Sequence, residues 1–323
     1  MLTYWILSLL PTKHVLTTSG LSKRWRYLWK LVPKLEYIDS DQNADHGRFL
    51  RFVDRSLFLN TAPVLESLHF KLGRQCSDVD IGFWIRIAVE RGLRELNFEY
   101  PHMIDEPSRL PQSLYTCGTL VLLKLQNVSL VDVHFPVCFQ LLKTLHLVWV
   151  IFLDDESPHK LLSSCPILEV LVLNRAEEDN VTSFFVTVPS LQRFIYGGVF
   201  GTDLVMNTPS LKYFKTLDQG SECIIEYLPE IMEAHVEVIC SNTDDILRSL
   251  ASLKRLLLCL PAEPLFPTGS IFHQLEHLEF CTCETEFSCL NLQWSSNNAL
   301  RSTAMFVDFL RIIGLNQALF LKR

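Results

Sequence analysis

The feature that most constrains this chain is an apolar triplet, L-x-x-L-x-L, that returns at a short period. It is plainest in Leu168-Glu169-Val170-Leu171-Val172-Leu173. Leu171 and Leu173 stand two apart, so in a strand both point to one face, and Leu168 at the turn into the strand can reach the same interior. One such unit cannot cover its own apolar side, whereas a stack can. With Leu, Phe, Ile, Val or Ala at the key places, the pattern opens at Leu65, Leu93, Leu120, Leu142, Leu168, Leu191, Leu211, Ile231, Leu253 and Leu275, in steps of 20 to 28 residues. Leu211-Phe214-Thr216 and Ile231-Ala234-Val236 are weak copies. Only Cys283 supplies the asparagine or cysteine expected eight places after the first leucine.

This period predicts an α/β leucine-rich-repeat solenoid: a horseshoe with parallel strands on its concave side. A chain of 323 residues suits such a stack, whose core grows by one layer per repeat. Its 48% hydrophobic and 20% charged residues mark a folding sequence. The net charge of −7 hides an asymmetry, because residues 1–35 hold six Lys/Arg and no acid. The N-terminal piece is therefore a surface of another kind, while the acidic remainder argues against nucleic acid as a partner.

Ten cysteines are scattered through expected strands and turns without a framework spacing, which reads as reduced core thiols in the cytoplasm or nucleus. Residues 1–10 are apolar but lack the basic start and small-residue cleavage site of a signal peptide. The run from Leu141 to Leu153 contains Lys143 and His146 and is too short to span a bilayer, so it reads as a buried strand, and no membrane is expected among the partners.

Along the chain, Ile6, Leu9 and Leu10 form one apolar face ended by Pro11, and Thr17 to Trp29 carries Leu21, Trp25, Leu28 and Trp29 at helical spacing. Phe49, Phe52, Val53 and Leu57 form a helical stripe between Arg48 and Leu59, as do Ile81, Trp84, Ile85 and Ala88 before the strand at Leu93. Thr243 can cap a helix ending near Leu250. The early units thus read as helix then strand, whereas the later ones, 20 to 23 residues long, leave room for a turn or a short helix.

The N-terminal strings carry more than a cap for the stack. Ile6-Leu7-Ser8-Leu9-Leu10-Pro11-Thr12-Lys13 followed by Leu21-Ser22-Lys23-Arg24-Trp25-Arg26-Tyr27-Leu28-Trp29 closely resembles the second half of a plant F-box. Gly118-Thr119-Leu120-Val121-Leu122-Leu123-Lys124-Leu125 resembles the repeats of plant F-box proteins of the leucine-rich type, and the stretch 272–286 resembles the start of the FBD region of such chains. F-boxes begin with a segment like D-x-I-S-x-L-P-D-E-L-L, and here only residues 1–5 precede Ile6, so the likeness implies a partial, N-terminally truncated F-box. The implied organisation is a partial F-box over 1–38, leucine-rich repeats over 39–290 and a divergent tail over 291–323.

The resemblance implies the substrate-recognition subunit of a Skp–cullin–F-box E3 ubiquitin ligase, with the repeats binding a target protein and the F-box a Skp-type adaptor that leads to a cullin. It assigns Ile6, Leu9, Leu10 and Pro11 to the adaptor-facing helix and its end. The resemblance likewise assigns Leu21, Lys23, Arg24, Trp25 and Leu28 to a second contact strip and the module's small core; Trp25 can equally be purely structural. The alternative is a ligase-independent leucine-rich-repeat scaffold.

Other chemistry is poorly supported. His273 and His277 with Cys281, Cys283 and Cys289 invite zinc, but residues four apart on a strand lie about 13 Å apart and C-x-C is an uncommon knuckle spacing. Gly197-Gly198-Val199-Phe200-Gly201 lacks a P-loop lysine. The acidic groups Asp154-Asp155-Glu156 and Glu177-Glu178-Asp179 have no nucleophile or histidine set beside them, so a hydrolase is disfavoured. No catalytic residue, cofactor or metal is expected.

Overall fold

The structure is a computed structural model. It describes residues 6–23, 25–39, 46–73, 76–101, 107–130, 137–199, 202–218, 223–226, 228–238, 243–261, 272, 274–285 and 288–295. The chain divides into two compact units: Met1–Leu153 with Ser164–Leu168, and Asp154–Ser163 with Glu169–Arg323.

The main ladder of the first unit has five parallel strands among the described residues, Lys34–Ile38, Ser67–Lys71, Glu95–Glu99, Leu122–Gln126 and Thr144–Val150, paired without a register shift. Side chains alternate as the pattern requires: Leu68 and Phe70, Leu96 and Phe98, Leu123 and Leu125, and Leu145 and Leu147 are all buried. The ladder begins one unit earlier than the triplets opening at Leu65 predict. Val32, Leu35 and Tyr37 form an eleventh copy of the triplet and are buried. Tyr37, Phe70 and Trp84 stack at 5.4 and 5.5 Å, making an aromatic spine, and the phenol of Tyr37 hydrogen-bonds the Ser56 hydroxyl at 2.8 Å. The expected helices are present as His46–Leu59 and Asp78–Glu90, the second capped by the Ser77 hydroxyl on the Asp80 N–H. Ile81, Trp84, Ile85 and Ala88 line its buried face, as their spacing predicts.

In the second unit the parallel strands are Val170–Arg175, Arg193–Gly197, Tyr213–Asp218, Glu233–Val238, Arg255–Pro261 and His277–Thr285. Ser288–Ser295 then turns back antiparallel on the last of these and so leaves the repeat. The units opening at Leu168, Leu191 and Leu211 carry neither a bare turn nor a helix between ladder strands. They form a second parallel sheet from Ser183–Thr187, Asp203–Asn207 and Cys223–Ile225. A five-residue strand spans the return in about 17 Å and pairs with its neighbours. Phe184, Leu204, Met206 and Val186 turn inward from it. Thr243–Ser249 is the expected helix at that position.

One further position repeats. Three residues before the opening leucine stands another buried side chain: Trp29, Ala62, Cys117, Phe139, Cys165, Val188, Thr208, Leu228, Leu250 and Phe272. The opening N–H bonds back to its carbonyl in most copies, as in Leu168 to Cys165 at 3.3 Å and Leu211 to Thr208 at 3.0 Å. This single turn aims the chain into the strand. The buried side chain is missing at Glu90, where the helix runs to the turn and Gly92 takes a φ of +71°, and the Leu65 N–H bonds the Arg91 carbonyl instead at 3.0 Å. Prolines at 166, 189, 209 and 229 sit between these two positions and preset the bend.

Candidate functional site

The N-terminal segment is made of short helices, as expected, but the stretch from Thr17 to Trp29 is not a single one. An α-helix spans Thr12–Thr17, followed by 3-10 turns at Thr18–Gly20 and Trp25–Leu31. The hydroxyls of Thr17 and Thr18 bond back to the carbonyls of His14 and Val15, and Gly20 follows, so the helix stops there. Leu7, Val15, Trp29 and Val32 form its small core, with Leu16, Trp25 and Leu28 packed against it. Of the sequence-assigned contact residues, Trp25 and Leu28 therefore serve the core, and Pro11 is half-buried. Ile6, Leu9, Leu10 and Leu21 are exposed, Leu9 to 83% and Leu21 to 71%, with Lys23 exposed as well. Arg24 lies outside the described residues. Leu7 escaped the sequence reading, although its helical neighbours Ile6 and Leu10 already marked a two-sided turn.

This segment is built onto the first repeat. The Glu36 N–H donates to the Thr12 hydroxyl at 2.8 Å, and the buried Asn60 amide donates to the Val32 carbonyl at 3.0 Å. The Thr61 N–H reaches the Lys30 carbonyl at 2.6 Å. Four exposed apolar side chains are thus presented on a base tied to the ladder.

A second candidate surface is the open face of each ladder, where side chains between the inward leucines lie in rows. In the first unit, Glu36, His69, Asn97, Lys124 and His146 share one row by register. His69 lies between two carboxylates, Glu36 and Glu99, each at 3.3 Å, and Lys71 adds a 3.5 Å contact to Glu99. Burial and the adjacent Lys124 ammonium push the His146 pKa down to about 4, so this ring is neutral at physiological pH. In the second unit the corresponding rows hold Arg193, Tyr213, Glu233, Arg255 and His277, and Val172, Ile195, Lys215, His235, Leu257 and Glu279. His277 pairs with Glu279 at 3.2 Å. Such a face, mixed in charge and half-buried, presents shape and hydrogen bonds to a macromolecule.

The acidic loops have structural work. Asp154 accepts from the Ser157 N–H and hydroxyl at the start of helix Glu156–Ser163, which lowers its pKa. Asp155 accepts from the N–H and hydroxyl of Thr182 and from the Ser183 N–H, tying that loop to the next return strand. Asp179 closes a buried ion pair with Arg175 at 2.8 Å. Glu177 and Glu178 are exposed. Among the described residues, no cluster of three His, Cys, Asp or Glu side chains could hold a metal ion. His273 lies outside the described residues, as do the side chains of Cys281, Cys283 and Cys289. Cys76, Cys117, Cys165 and Cys259 are buried thiols outside any disulfide, and burial pushes the Cys76 and Cys165 thiols up to about 12 and about 11. Gly197 ends a ladder strand against the Asn174 side chain, where a Cβ would meet the amide oxygen at 2.8 Å; Phe200 and Gly201 lie outside the described residues.

Comparison with known proteins accords with this layout. A family model for the leucine-rich repeats of FBD-associated F-box protein At5g56370 matches residues 81–227. That Arabidopsis thaliana protein is 72% identical over 299 residues, covering 92% of this chain and 71% of the relative. The F-box/FBD/LRR-repeat protein At5g56420 of the same plant is 49% identical over 86% of this chain and 68% of its own length. With identity this high over most of both chains, and with the parallel ladder and buried triplets in place, the protein belongs to the plant F-box/FBD/leucine-rich-repeat family.

Proposed function

We propose that this chain is a substrate receptor of a Skp–cullin–F-box ubiquitin ligase, acting in the cytoplasm or nucleus. The N-terminal segment docks on a Skp-type adaptor that leads to the cullin, the open ladder face takes the target protein, and the transfer chemistry is done by other subunits. The observation that carries this reading is the set of exposed apolar side chains, Ile6, Leu9, Leu10 and Leu21, on a segment hydrogen-bonded to the first repeat. A solvated segment gains nothing from exposed leucines, whereas a protein interface does. The buried free thiols suit a reducing compartment, and no described helix is long and apolar enough to cross a membrane.

The test is calorimetric titration of a purified plant Skp-type adaptor into the full chain and into a Leu9→Asp, Leu21→Asp variant. Each buried leucine contributes about 1.5–3 kcal/mol, so the double variant should bind at least about 100-fold more weakly with its melting temperature unchanged. Equal binding by both chains removes the strip from the interface. Absence of binding to the unaltered chain favours the ligase-independent scaffold.

A further inference from the structure

One cation on the open face of the second unit is arranged unlike the others. Arg193, Tyr213 and Glu233 stand in register on three successive parallel strands. The Arg193 guanidinium lies 3.7 Å from the centroid of the Tyr213 ring. Tyr213 is held in turn by His235, with ring centroids 5.4 Å apart and the phenol oxygen 3.5 Å from Nδ1. The other ring nitrogen of His235 lies 3.3 Å from the Glu233 carboxylate. Each group orients the next, from Glu233 through His235 and Tyr213 to Arg193.

Neighbouring cations close on carboxylates: Lys215 lies 3.3 Å from Glu237 and Arg255 3.9 Å from Glu233. Arg193 is exposed and has no carboxylate partner among the described residues. An exposed arginine ordinarily loses much rotamer freedom on binding, and a ring already beneath it removes part of that cost in advance. A guanidinium lying on a ring keeps its N–H edge outward, the edge that takes a carboxylate through two parallel hydrogen bonds. Beside it the surface is hydrocarbon. Val170 stands in register with Arg193, and Val172 with Ile195. Ile195 is two residues along the strand from Arg193, a separation of about 7 Å.

We infer that Arg193 is the carboxylate-binding subsite of the target surface: the bound segment of the target places an Asp or Glu side chain on the guanidinium and an apolar side chain about 7 Å away, over Val172 and Ile195. This rests on the reading of the open face as the target surface and narrows it to segments in which an acidic residue stands near an apolar one. The unpaired charge and the hydrocarbon floor together select that occupant.

The experiment selects random 12-residue peptides displayed on phage against the full chain and measures the winners by fluorescence polarisation. The expected winners carry Asp or Glu within two or three residues of a large apolar side chain and lose binding to an Ile195→Asp variant. A charge-assisted pair contributes roughly 1.5–3 kcal/mol, so Arg193→Gln should weaken them about 10- to 100-fold, and Tyr213→Leu, which leaves the charge but removes its support, should weaken them several-fold. Replacing the peptide's acid by its amide should cost the same factor against the unaltered chain and nothing further against Arg193→Gln. Circular-dichroism melts of the variants separate this from misfolding. Winners that require Ile195 but show no acidic preference and bind Arg193→Gln equally well overturn the subsite and leave the open-face reading standing. Winners indifferent to both Ile195→Asp and Arg193→Gln overturn both.

Discussion

Leu171 and Val172 are neighbours in one strand, yet the first is fully buried and the second lies half-buried on the open face. Leu171→Ala should cost about 2–5 kcal/mol through lost burial and a residual cavity, while Val172→Ser should stay within about 1 kcal/mol. Urea denaturation of both variants checks this, and equal losses would contradict the observed facing. His146 gives a second prediction at this scale. Its pKa falls from the ordinary 6.5 to about 4, burial being the larger cause and Lys124 the smaller. Between those values the unfolded chain binds a proton that the folded chain refuses, so the stability this site allows is intact above about pH 6.5, declines as pH falls toward 4 and levels off below. His146→Gln should flatten that slope, and the ring should titrate near 4 by NMR; a midpoint at 6 or above contradicts the account. That Leu171 would be inside was legible from its spacing. That His146 would be half-buried beside Lys124 was not, because those residues belong to different repeats and meet only through strand register.

Among the elements, the helices His46–Leu59 and Asp78–Glu90 were legible because each puts a full apolar stripe on one face. The break between Thr12–Thr17 and Trp25–Leu31 was written in Thr17, Thr18 and Gly20, but the apolar spacing of Leu21, Trp25 and Leu28 masked it. The return sheet was not legible, since Phe184, Val186, Leu204 and Met206 alternate with a period of two over too short a stretch to stand out beside the ladder strands. Beside that sheet the Arg175 guanidinium donates to Asp179 through two nitrogens, at 3.0 and 2.8 Å, and to the Val181 carbonyl at 2.6 Å. Both side chains are essentially out of solvent. Removing one partner strands a buried charge, so Asp179→Ala should cost about 3–5 kcal/mol, whereas Arg175→Met combined with Asp179→Leu should recover most of that loss. Denaturant midpoints of the two variants decide the matter, and a milder effect for Asp179→Ala than for the double variant would contradict it.

For the whole molecule, the amino-acid sequence by itself determined the architecture. A triplet repeated every 20 to 28 residues has a stack as its only means of burying three apolar side chains per unit, and this holds even in the weak copies, where Phe214, Thr216, Ala234 and Val236 are buried in register. The N-terminal strings likewise identified the segment that presents Leu9 and Leu21 to solvent. Tertiary structure alone decided what the polar residues do. Asp154 and Asp155 became loop ties, Lys71, Lys215 and Arg255 met carboxylates, and Arg193 came to rest on a tyrosine with none among the described residues. The physical reason is the difference in range between the two effects. Burial depends on a residue's own apolarity and its place in a local period, whereas pairing depends on which side chain of another repeat, some twenty residues away, arrives within about 4 Å, and that is set by register and turn geometry.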